Sequence, residues 1–303
     1  MRIGRRGFMK VAAAGAGVAG VSTATASSEG TIAGADTPGV LVDTTLCVGC
    51  RACEAACSET NALPAPPESD AVMESRRDTA PQVFTVVNKT TTEDGKVVFA
   101  KKQCMHCEAP GCAAACPVRA MNKLPSGPVV WDGAACLGCR YCMIACPFDI
   151  PKYEYDSWNP RVRKCTFCAD RQAKGLKPAC TEVCPSGALS FGRRGELLDE
   201  AKRRIYGTPG KYATHIFGEH EAGGTSWLYI TAPDVDLGAL AFRTDAPKKP
   251  IPDLVQGALG APPFVMTLWP PLLMGLYAFS RRREEVDGDG SSHGSKGKED
   301  RHG

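Results

Sequence analysis

Short runs of alternating apolar and polar residues, separated by turn signals, dominate the middle of the chain. Residues 82–87 and 96–100 alternate on either side of the Asp94-Gly95 pair, which predicts a β-hairpin. Residues 195–205 have helical apolar spacing, with acidic residues early and basic residues late, as the helix dipole favours. Three further apolar runs predict strands at residues 128–131, 188–191 and 226–231. We therefore predict an α+β fold built from short strands and helices.

A different pattern at the N-terminus predicts an export signal. An arginine pair at positions 5 and 6 precedes Phe8, a glycine-containing apolar stretch over residues 11–21 and an A-x-A sequence at 24–26. These are the features of a twin-arginine signal peptide, which we predict over residues 1–26. This route exports proteins after folding, so it suits a protein that receives its cofactors in the cytosol.

The C-terminal part of the chain contains a long stretch without charge. No charged residue occurs between Leu254 and Ser280, and three arginines follow at 281–283, where the positive-inside rule places them in the cytoplasm. We expect a single transmembrane helix as a membrane anchor over residues 251–283, bent or shortened by its interior prolines. The alternative is a proline-rich linker that ends in an amphipathic helix. Residues 284–303 are predicted to form a disordered cytoplasmic tail.

Sixteen cysteines give the strongest chemical signal in the chain of 303 residues. The first and third of four quartets have the C-x2-C-x2-C-x3-C spacing of bacterial ferredoxins, and the other two stretch one gap. Proline follows the last cysteine in three quartets, whereas Ser58 follows it in the first. We predict four [4Fe-4S] clusters. The quartets, which leave no cysteine over, are Cys47, Cys50, Cys53, Cys57; Cys104, Cys107, Cys112, Cys116; Cys136, Cys139, Cys142, Cys146; and Cys165, Cys168, Cys180, Cys184.

Disulfides and zinc are the two alternatives to clusters. An exported protein can use cysteines as disulfides, but disulfide frameworks scatter cysteines along the chain instead of repeating spacings of two or three residues. A zinc ribbon needs only four ligands from two C-x2-C pairs, which leaves the third cysteine of each C-x2-C-x2-C run without a role. The spacing therefore favours clusters over both.

The order of the quartets predicts two interleaved units. The step from Cys116 to Cys136 is short, so the second and third quartets form one two-cluster unit, and the first and fourth must pair around it. By the ferredoxin rule, the fourth cysteine of each quartet crosses to the neighbouring cluster. This arrangement places two ferredoxin-like two-cluster modules in one domain over residues 27–250. We expect the modules to be largely unfolded without iron. The predicted ligand sets are Cys47, Cys50, Cys53 with Cys184; Cys165, Cys168, Cys180 with Cys57; Cys104, Cys107, Cys112 with Cys146; and Cys136, Cys139, Cys142 with Cys116.

The other polar residues give no sign of catalysis. The sequence contains no convincing nucleophile and base pair, phosphate loop or second metal constellation, so we predict that the chain is not an enzyme by itself. We interpret His106 as a solvated loop residue, with tuning of a cluster as the alternative, and His215 and His220 as surface residues. The basic run of Arg161, Arg163 and Lys164 is interpreted as a solvated face, with a raised cluster potential or contact with a partner as the alternative. A net charge of only +3 gives no indication of a nucleic-acid partner.

In its motifs the chain resembles the four-cluster electron-transfer subunits of membrane-bound, multi-subunit oxidoreductases. Residues 45–50, 101–107, 139–147 and 182–185 are very similar to the ferredoxin-like subunit of hydrogenase-2-type [NiFe] uptake hydrogenases. In that subunit a twin-arginine signal and a C-terminal anchor occur in the same order. Residues 164–171 are equally similar to the iron–sulfur β subunit of formate dehydrogenase, which is related to the corresponding dimethyl sulfoxide and polysulfide reductase subunits.

The resemblance implies a non-catalytic subunit that passes electrons singly through four [4Fe-4S] clusters. Its implied partners are the large and small subunits of a [NiFe] hydrogenase and an integral membrane quinone-reactive subunit, at the periplasmic face of the cytoplasmic membrane. Formate dehydrogenase β subunits typically travel on the signal of their catalytic partner, so a signal on this chain favours the hydrogenase type. The alternative is the β subunit of a molybdenum or tungsten oxidoreductase, such as formate dehydrogenase or a dimethyl sulfoxide or polysulfide reductase.

Overall fold

The structure is a computed structural model that describes residues 36–292, except for the side chains of residues 255–264 and 284–292. The predicted signal peptide, residues 1–26, lies outside the described residues, as do residues 293–303 of the predicted tail. The strands are β1 (Pro38–Asp43), β2 (Val86–Thr91), β3 (Val97–Lys102), β4 (Met121–Lys123), β5 (Val129–Trp131), β6 (Lys152–Tyr153), β7 (Val162–Arg163), β8 (Leu189–Arg193) and β9 (Trp227–Ile230). The α-helices are α1 (Ala52–Thr60), α2 (Gly111–Ala114), α3 (Tyr141–Ile144), α4 (Ala169–Gln172), α5 (Ala179–Glu182), α6 (Arg194–Gly207) and α7 (Ile251–Ser292).

The structure contains the predicted hairpin, but its first strand lies further along the chain than predicted. Strands β2 and β3 pair antiparallel, with Val86 opposite Lys102 and Thr91 opposite Val97. Lys96 O accepts a hydrogen bond from Thr92 N at 2.9 Å, so the turn at Asp94-Gly95 sets the register. Residues 82–85 do not join the hairpin because the chain turns there, where Ala80 and Val83 form an isolated bridge. The strands predicted at 128–131, 188–191 and 226–231 correspond to β5, β8 and β9, and the helix predicted at 195–205 corresponds to α6.

A three-stranded sheet with the order β8-β1-β9 has no cysteine in its strands. Its central strand β1, which the sequence pattern did not predict, runs antiparallel to β8 and parallel to β9. Helix α6 packs on this sheet because Leu197, Leu198, Ala201 and Ile205 share one buried face. We call the resulting cluster the cysteine-free core; it comprises Leu41, Leu197, Leu198, Ala201, Ile205, Tyr212, Ile216, Leu228 and Ile230.

The cysteine quartets lie around short helices that pack in pairs. Helix α1, which contains Cys53 and Cys57, packs against α5, which contains Cys180. Helix α2, which contains Cys112, packs against α3, which contains Cys142. The first quartet therefore adjoins the fourth and the second adjoins the third, as the interleaved arrangement requires.

The chain ends in the long helix α7, whose first turn meets the second-quartet helix. A β-carbon built on Gly111 in α2 would lie 3.0 Å from Cβ of Ile251, so the two helices touch at this point. Helix α7 continues to Ser292, so the disordered tail predicted from residue 284 is wrong for its first nine residues (284–292). The helix continues beyond the apolar stretch because residues 281–283 are all arginine, which is a good helix former.

The membrane anchor was predicted for this same helix. Among the described residues, no helix combines the length and the apolar character needed to cross a membrane. The transmembrane helix predicted over residues 251–283 is therefore not confirmed.

Candidate iron–sulfur centres

Four cysteines from the two ends of the domain surround one cavity, which we call centre 1. The cavity is also lined by Arg51, Val87 and Lys101, so strands of the hairpin close it from one side. Burial raises the pKa of the Cys47 thiol, which also accepts a hydrogen bond from the backbone of Gly49. The cysteines of centre 1 are Cys47, Cys50, Cys53 and Cys184.

A second cavity, centre 2, is also lined by Lys101. It is closed by Phe167 and Trp227, whose side chains are almost completely buried. Burial raises the pKa of the Cys57 thiol to about 12, against the opposing charge of Lys101. The cysteines of centre 2 are Cys57, Cys165, Cys168 and Cys180.

The second and third quartets supply the other two groups. Centre 3 is defined by the electrostatic interactions of Cys107, whose pKa is raised first by burial and then by the charges of Cys146, Cys104 and Cys112. Centre 4 is a cavity that is also lined by Trp131 and Val162. The cysteines of centre 3 are Cys104, Cys107, Cys112 and Cys146, and those of centre 4 are Cys116, Cys136, Cys139 and Cys142.

These four groupings are the sets of cysteines that the ferredoxin rule brings together. All sixteen cysteines are free thiols. Among the side chains that the structure describes, no three from Cys, His, Asp or Glu are arranged to hold a single metal ion. Four sulfur-bearing side chains around a cavity suit a polynuclear cluster, in which each cysteine binds a different iron.

The protonation chemistry of the buried thiols also fits iron binding. Burial raises the pKa of Cys112 to about 12 and that of Cys146 to about 11. A thiol with such a pKa is neutral at physiological pH, whereas a thiol that coordinates a metal is deprotonated outright. These sulfurs therefore become thiolates only when the iron supplies the compensating positive charge.

A recurring backbone turn follows the first cysteine of each quartet. The residue two positions after the first cysteine has a left-handed φ in every quartet: +70° at Gly49, +47° at His106, +70° at Gly138 and +57° at Phe167. The turn points backbone amides at sulfur, so Gly138 N donates to Cys136 Sγ at 3.5 Å and Phe167 N donates to Cys165 Sγ at 3.4 Å. Hydrogen bonds to cysteine sulfur are one of the factors that set the reduction potential of a cluster.

A second turn repeats after the last cysteine of three quartets. Each has the form Cys-Pro-x followed by a residue with positive φ, which is +55° at Arg119, +55° at Asp149 and +65° at Gly187. Proline fixes the first part of this turn and has no amide hydrogen to satisfy. The first quartet has Ser58 in place of proline, and there α1 continues to Thr60.

A shared lining residue and electrostatic interactions link each of the four centres to the next, in a sequence that we call the row. Lys101 lines both centre 1 and centre 2. The charge of Cys104 in centre 3 contributes to the raised pKa of Cys165 in centre 2, after burial and the charge of Cys57. Likewise, Cys142 in centre 4 contributes to the raised pKa of Cys112 in centre 3. The order is therefore centre 1, centre 2, centre 3, centre 4.

The two ends of this row reach the surface. Cys50 in centre 1 and Cys139 in centre 4 are the exposed cysteines, whereas every cysteine of centres 2 and 3 is buried or half-buried. Exposed apolar side chains surround both ends. Those beside centre 1 are Leu46, Val48 and Val183, and those beside centre 4 are Leu137, Tyr141 and Ile144.

The interpretation of His106 as a solvated loop residue was wrong. Its side chain is completely buried, and its ring stacks on Phe167 with the centroids 4.9 Å apart. Its Nδ1 accepts a hydrogen bond from Val129 N at 2.9 Å. Burial, reinforced by the positive charge of Lys164, lowers the pKa of His106 well below its ordinary value. His215 and His220 are exposed, as predicted.

The interpretation of the basic run as a solvated face was also wrong for Lys164. This side chain is buried, and its ammonium donates hydrogen bonds to Val129 O and, at 3.1 Å, to Cys165 O. A second buried lysine, Lys101, was not singled out from the sequence because nothing local distinguishes it from its neighbour Lys102. Burial lowers the pKa of Lys101, but once Cys180 and Cys53 are thiolates their negative charge outweighs that effect and raises it.

Comparisons with known proteins support iron–sulfur clusters as the cofactor. Two stretches of the chain, residues 46–120 and 95–194, match the 4Fe-4S dicluster domain family. Together they contain all sixteen cysteines, so two dicluster domains account for four clusters. The side chains that the structure places around centres 1 to 4 fit this cofactor.

The relatives include subunits of known complexes. A protein of Nitratidesulfovibrio vulgaris is 46% identical over 275 residues, which cover 89% of this chain and 74% of the relative. Hydrogenase-2 operon protein HybA of Escherichia coli O157:H7 is 39% identical over 293 residues, covering 84% of this chain and 86% of the relative. The iron–sulfur subunit of the nitrate-inducible formate dehydrogenase of Escherichia coli K12 is 36% identical over 197 residues, covering 63% of this chain and 66% of the relative. The chain therefore belongs to the family of iron–sulfur electron-transfer subunits that includes HybA and the formate dehydrogenase iron–sulfur subunits, and it carries four [4Fe-4S] clusters.

Proposed function

We propose that this protein carries electrons one at a time through centres 1 to 4 between a periplasmic [NiFe] hydrogenase and a quinone-reactive membrane subunit. The observation that carries the proposal is the row itself, with two buried centres between two that reach the surface. Each centre holds one cluster, ligated by its four cysteines. The clusters supply the one-electron chemistry, and the chain orients them, excludes water from centres 2 and 3 and tunes their potentials. No bond-making step is assigned to the chain itself.

The similarity to HybA supports a hydrogenase as the catalytic partner. That relative is named for the hydrogenase-2 operon, and the match extends over most of both chains. The formate dehydrogenase subunits match a smaller share of this chain. A molybdenum or tungsten oxidoreductase is therefore the second candidate for the catalytic partner. The N-terminal sequence supports export by the twin-arginine route, which would place the domain at the periplasmic face of the cytoplasmic membrane.

The position of α7 supports an orientation of the row. Ile251, in the first turn of this helix, touches Gly111 of α2, beside centres 3 and 4. Beyond it, large apolar side chains from Val265 to Phe279 are all exposed. Because an exposed apolar stretch of this extent marks an interaction surface, we assign α7 to the membrane subunit and its surrounding lipid. Centre 4 then lies towards the membrane, and centre 1 lies towards the hydrogenase.

The first experiment is anaerobic purification of the protein from membranes with its partners attached. About sixteen irons per chain, four for each cubane, are expected together with nickel-containing subunits. Molybdenum or tungsten in place of nickel would identify the catalytic partner as the second candidate. An iron content near zero would reject the proposal.

A single substitution then tests the row. Cys139→Ser removes a ligand of centre 4 and is expected to abolish hydrogen-dependent quinone reduction, while the partner still reduces an artificial dye. Tyr206→Ser, on the exposed face of α6, is the control and leaves both activities unchanged. Quinone reduction that persists in Cys139→Ser would contradict electron flow through centre 4.

A further inference from the structure

Lys101 is a buried cation that two centres share. It lies on β3, and its side chain contributes to the walls of both centre 1 and centre 2. Only 2% of the residue is exposed to solvent. Because successive side chains of a strand point to opposite faces, its neighbour Lys102 is directed away from the centres, and it pairs with Asp78 instead.

The partners of the Lys101 ammonium are neutral groups. Its Nζ donates a hydrogen bond to Gln103 Oε1 at 2.9 Å and lies 4.6 Å from the centroid of the Trp227 ring. Within the part of the chain that the structure describes, it forms no ion pair with a carboxylate. The strand is held in place because Tyr229 Oη, which accepts from Gln103 Nε2 at 2.7 Å, donates to Lys101 O at 2.8 Å.

A buried ammonium without a carboxylate needs another source of negative charge. The cysteine thiolates of centres 1 and 2 are the anionic groups that share its surroundings. A cluster with its four thiolates is itself anionic and gains one further negative charge when it is reduced. A fixed positive charge beside the cluster therefore stabilises the reduced form more than the oxidised form and raises the reduction potential.

We propose that Lys101 sets the reduction potentials of the clusters in centres 1 and 2 together, as a single electrostatic element between them. Centres 3 and 4 do not include this side chain, and centre 3 has a lysine of its own in Lys164, which acts on Cys112. The role of Lys101 is to position a charge, and no ligand bond or proton transfer is assigned to it. The inference rests on the proposed ligand sets of centres 1 and 2.

The test is an anaerobic redox titration of the purified complex, followed by electron paramagnetic resonance. Lys101→Met removes the charge with little change in volume. We expect two of the four potentials to fall, each by at least the 59 mV that corresponds to a tenfold change in the one-electron equilibrium, and the other two to stay within half that shift. Lys102→Met is the matched control, because it removes an equally buried lysine that lines neither cavity. Lys101→Arg keeps the charge and is expected to restore both potentials.

Two further variants keep the outcomes separate. Cys50→Ser and Cys168→Ser assign the signals of centres 1 and 2 without changing any lysine. Each substitution should remove one distinct signal, and a variant that keeps all four signals would reject the ligand sets. If those assignments hold and Lys101→Met leaves both potentials unchanged, or Lys102→Met shifts them equally, the inference about Lys101 is wrong.

If Lys101→Met fails to retain iron, Gln103→Glu tests the effect of the charge instead. It keeps the lysine and places a carboxylate against its ammonium, so both potentials are expected to fall. Unchanged potentials in that variant also reject the inference.

Discussion

His106 stacks on Phe167, with the ring centroids 4.9 Å apart and the ring planes inclined by 25°. The two residues occupy the same place in different quartets, each two positions after the first cysteine and each with a left-handed φ. His106 lies between cysteines of centre 3, and Phe167 lies between cysteines of centre 2. The pair therefore joins the two buried centres where the interleaved modules meet.

His106→Phe tests how much this junction contributes to stability. The substitution retains an aromatic ring for the stack but removes Nδ1, which leaves the buried Val129 N–H without its acceptor. An unsatisfied buried donor costs about 1–3 kcal/mol. We expect the thermal midpoint, followed anaerobically by circular dichroism, to fall by roughly 2–10 °C. His220→Phe, at an exposed histidine, is the control and should leave the midpoint unchanged; equal midpoints for both variants would contradict the role of His106.

Gly111→Ala tests the contact between the helices of the second and third quartets. A β-carbon at Gly111 would lie 2.7 Å from Ala145 O and 3.0 Å from Cβ of Ile251, so α2 must move away from α3 and α7. Overpacking of this kind costs about 1–3 kcal/mol. Because Cys112 follows Gly111, we expect centre 3 to release iron to a chelator faster than the other centres.

Gly207→Ala is the matched control for this substitution. Gly207 ends α6, and no atom lies within 4 Å of the position that a β-carbon would occupy. Its iron release should therefore equal that of the unsubstituted protein. Equal release rates in both variants would show that the close approach of α2 and α3 is not needed to hold centre 3.

The grouping of cysteines could be predicted from the sequence because it depends on local spacing and on a simple rule for the fourth ligand. The hairpin and helix α6 were also predicted, since their signals lie within the segments themselves. Strand β1 was missed because its apolar core, residues 40–42, is short and its partners β8 and β9 lie far along the chain. A brief apolar run between Gly39 and Asp43 was the only available signal.

The burial of the charged residues could not be predicted in the same way. His106 and Lys164 lie in segments whose local composition is that of polar loops. Their burial is decided by distant residues, since Phe167 covers the histidine and Val129 O accepts a hydrogen bond from the lysine. The position of Lys101 between two centres likewise depends on how the first and fourth quartets meet. The ligands of a cluster can thus be identified from a sequence, whereas the charges that set its reduction potential depend on tertiary structure.

The exposed residues at the two ends of the row test the proposed orientation of the complex. Ile144, beside centre 4, is 81% exposed, and Val48, beside centre 1, is 61% exposed. An aspartate at either position would place an unpaired charge in an apolar interface. We expect Ile144→Asp to weaken co-purification of the membrane subunit and Val48→Asp to weaken that of the hydrogenase, each by roughly tenfold, or about 1.4 kcal/mol. Each variant is the control for the other, and loss of the same partner in both would contradict the orientation.

Removal of iron should separate two parts of the fold. The cysteine-free core around Leu198 and Leu228 is fully buried and lacks any ligand of a centre, whereas the other two hydrophobic clusters contain cysteines whose sulfurs face the cavities. Without iron those sulfurs become neutral thiols around an unfilled space, and the modules lose the bonds that tie their loops together. After anaerobic chelation, we expect hydrogen exchange to accelerate by roughly a hundredfold at Met121 and Phe167, while the amides of Leu198 and Leu228 stay protected. Reconstitution with iron and sulfide should restore the protection. Uniform loss of protection, including at Leu198, would show instead that the sheet and α6 depend on the clusters for their stability.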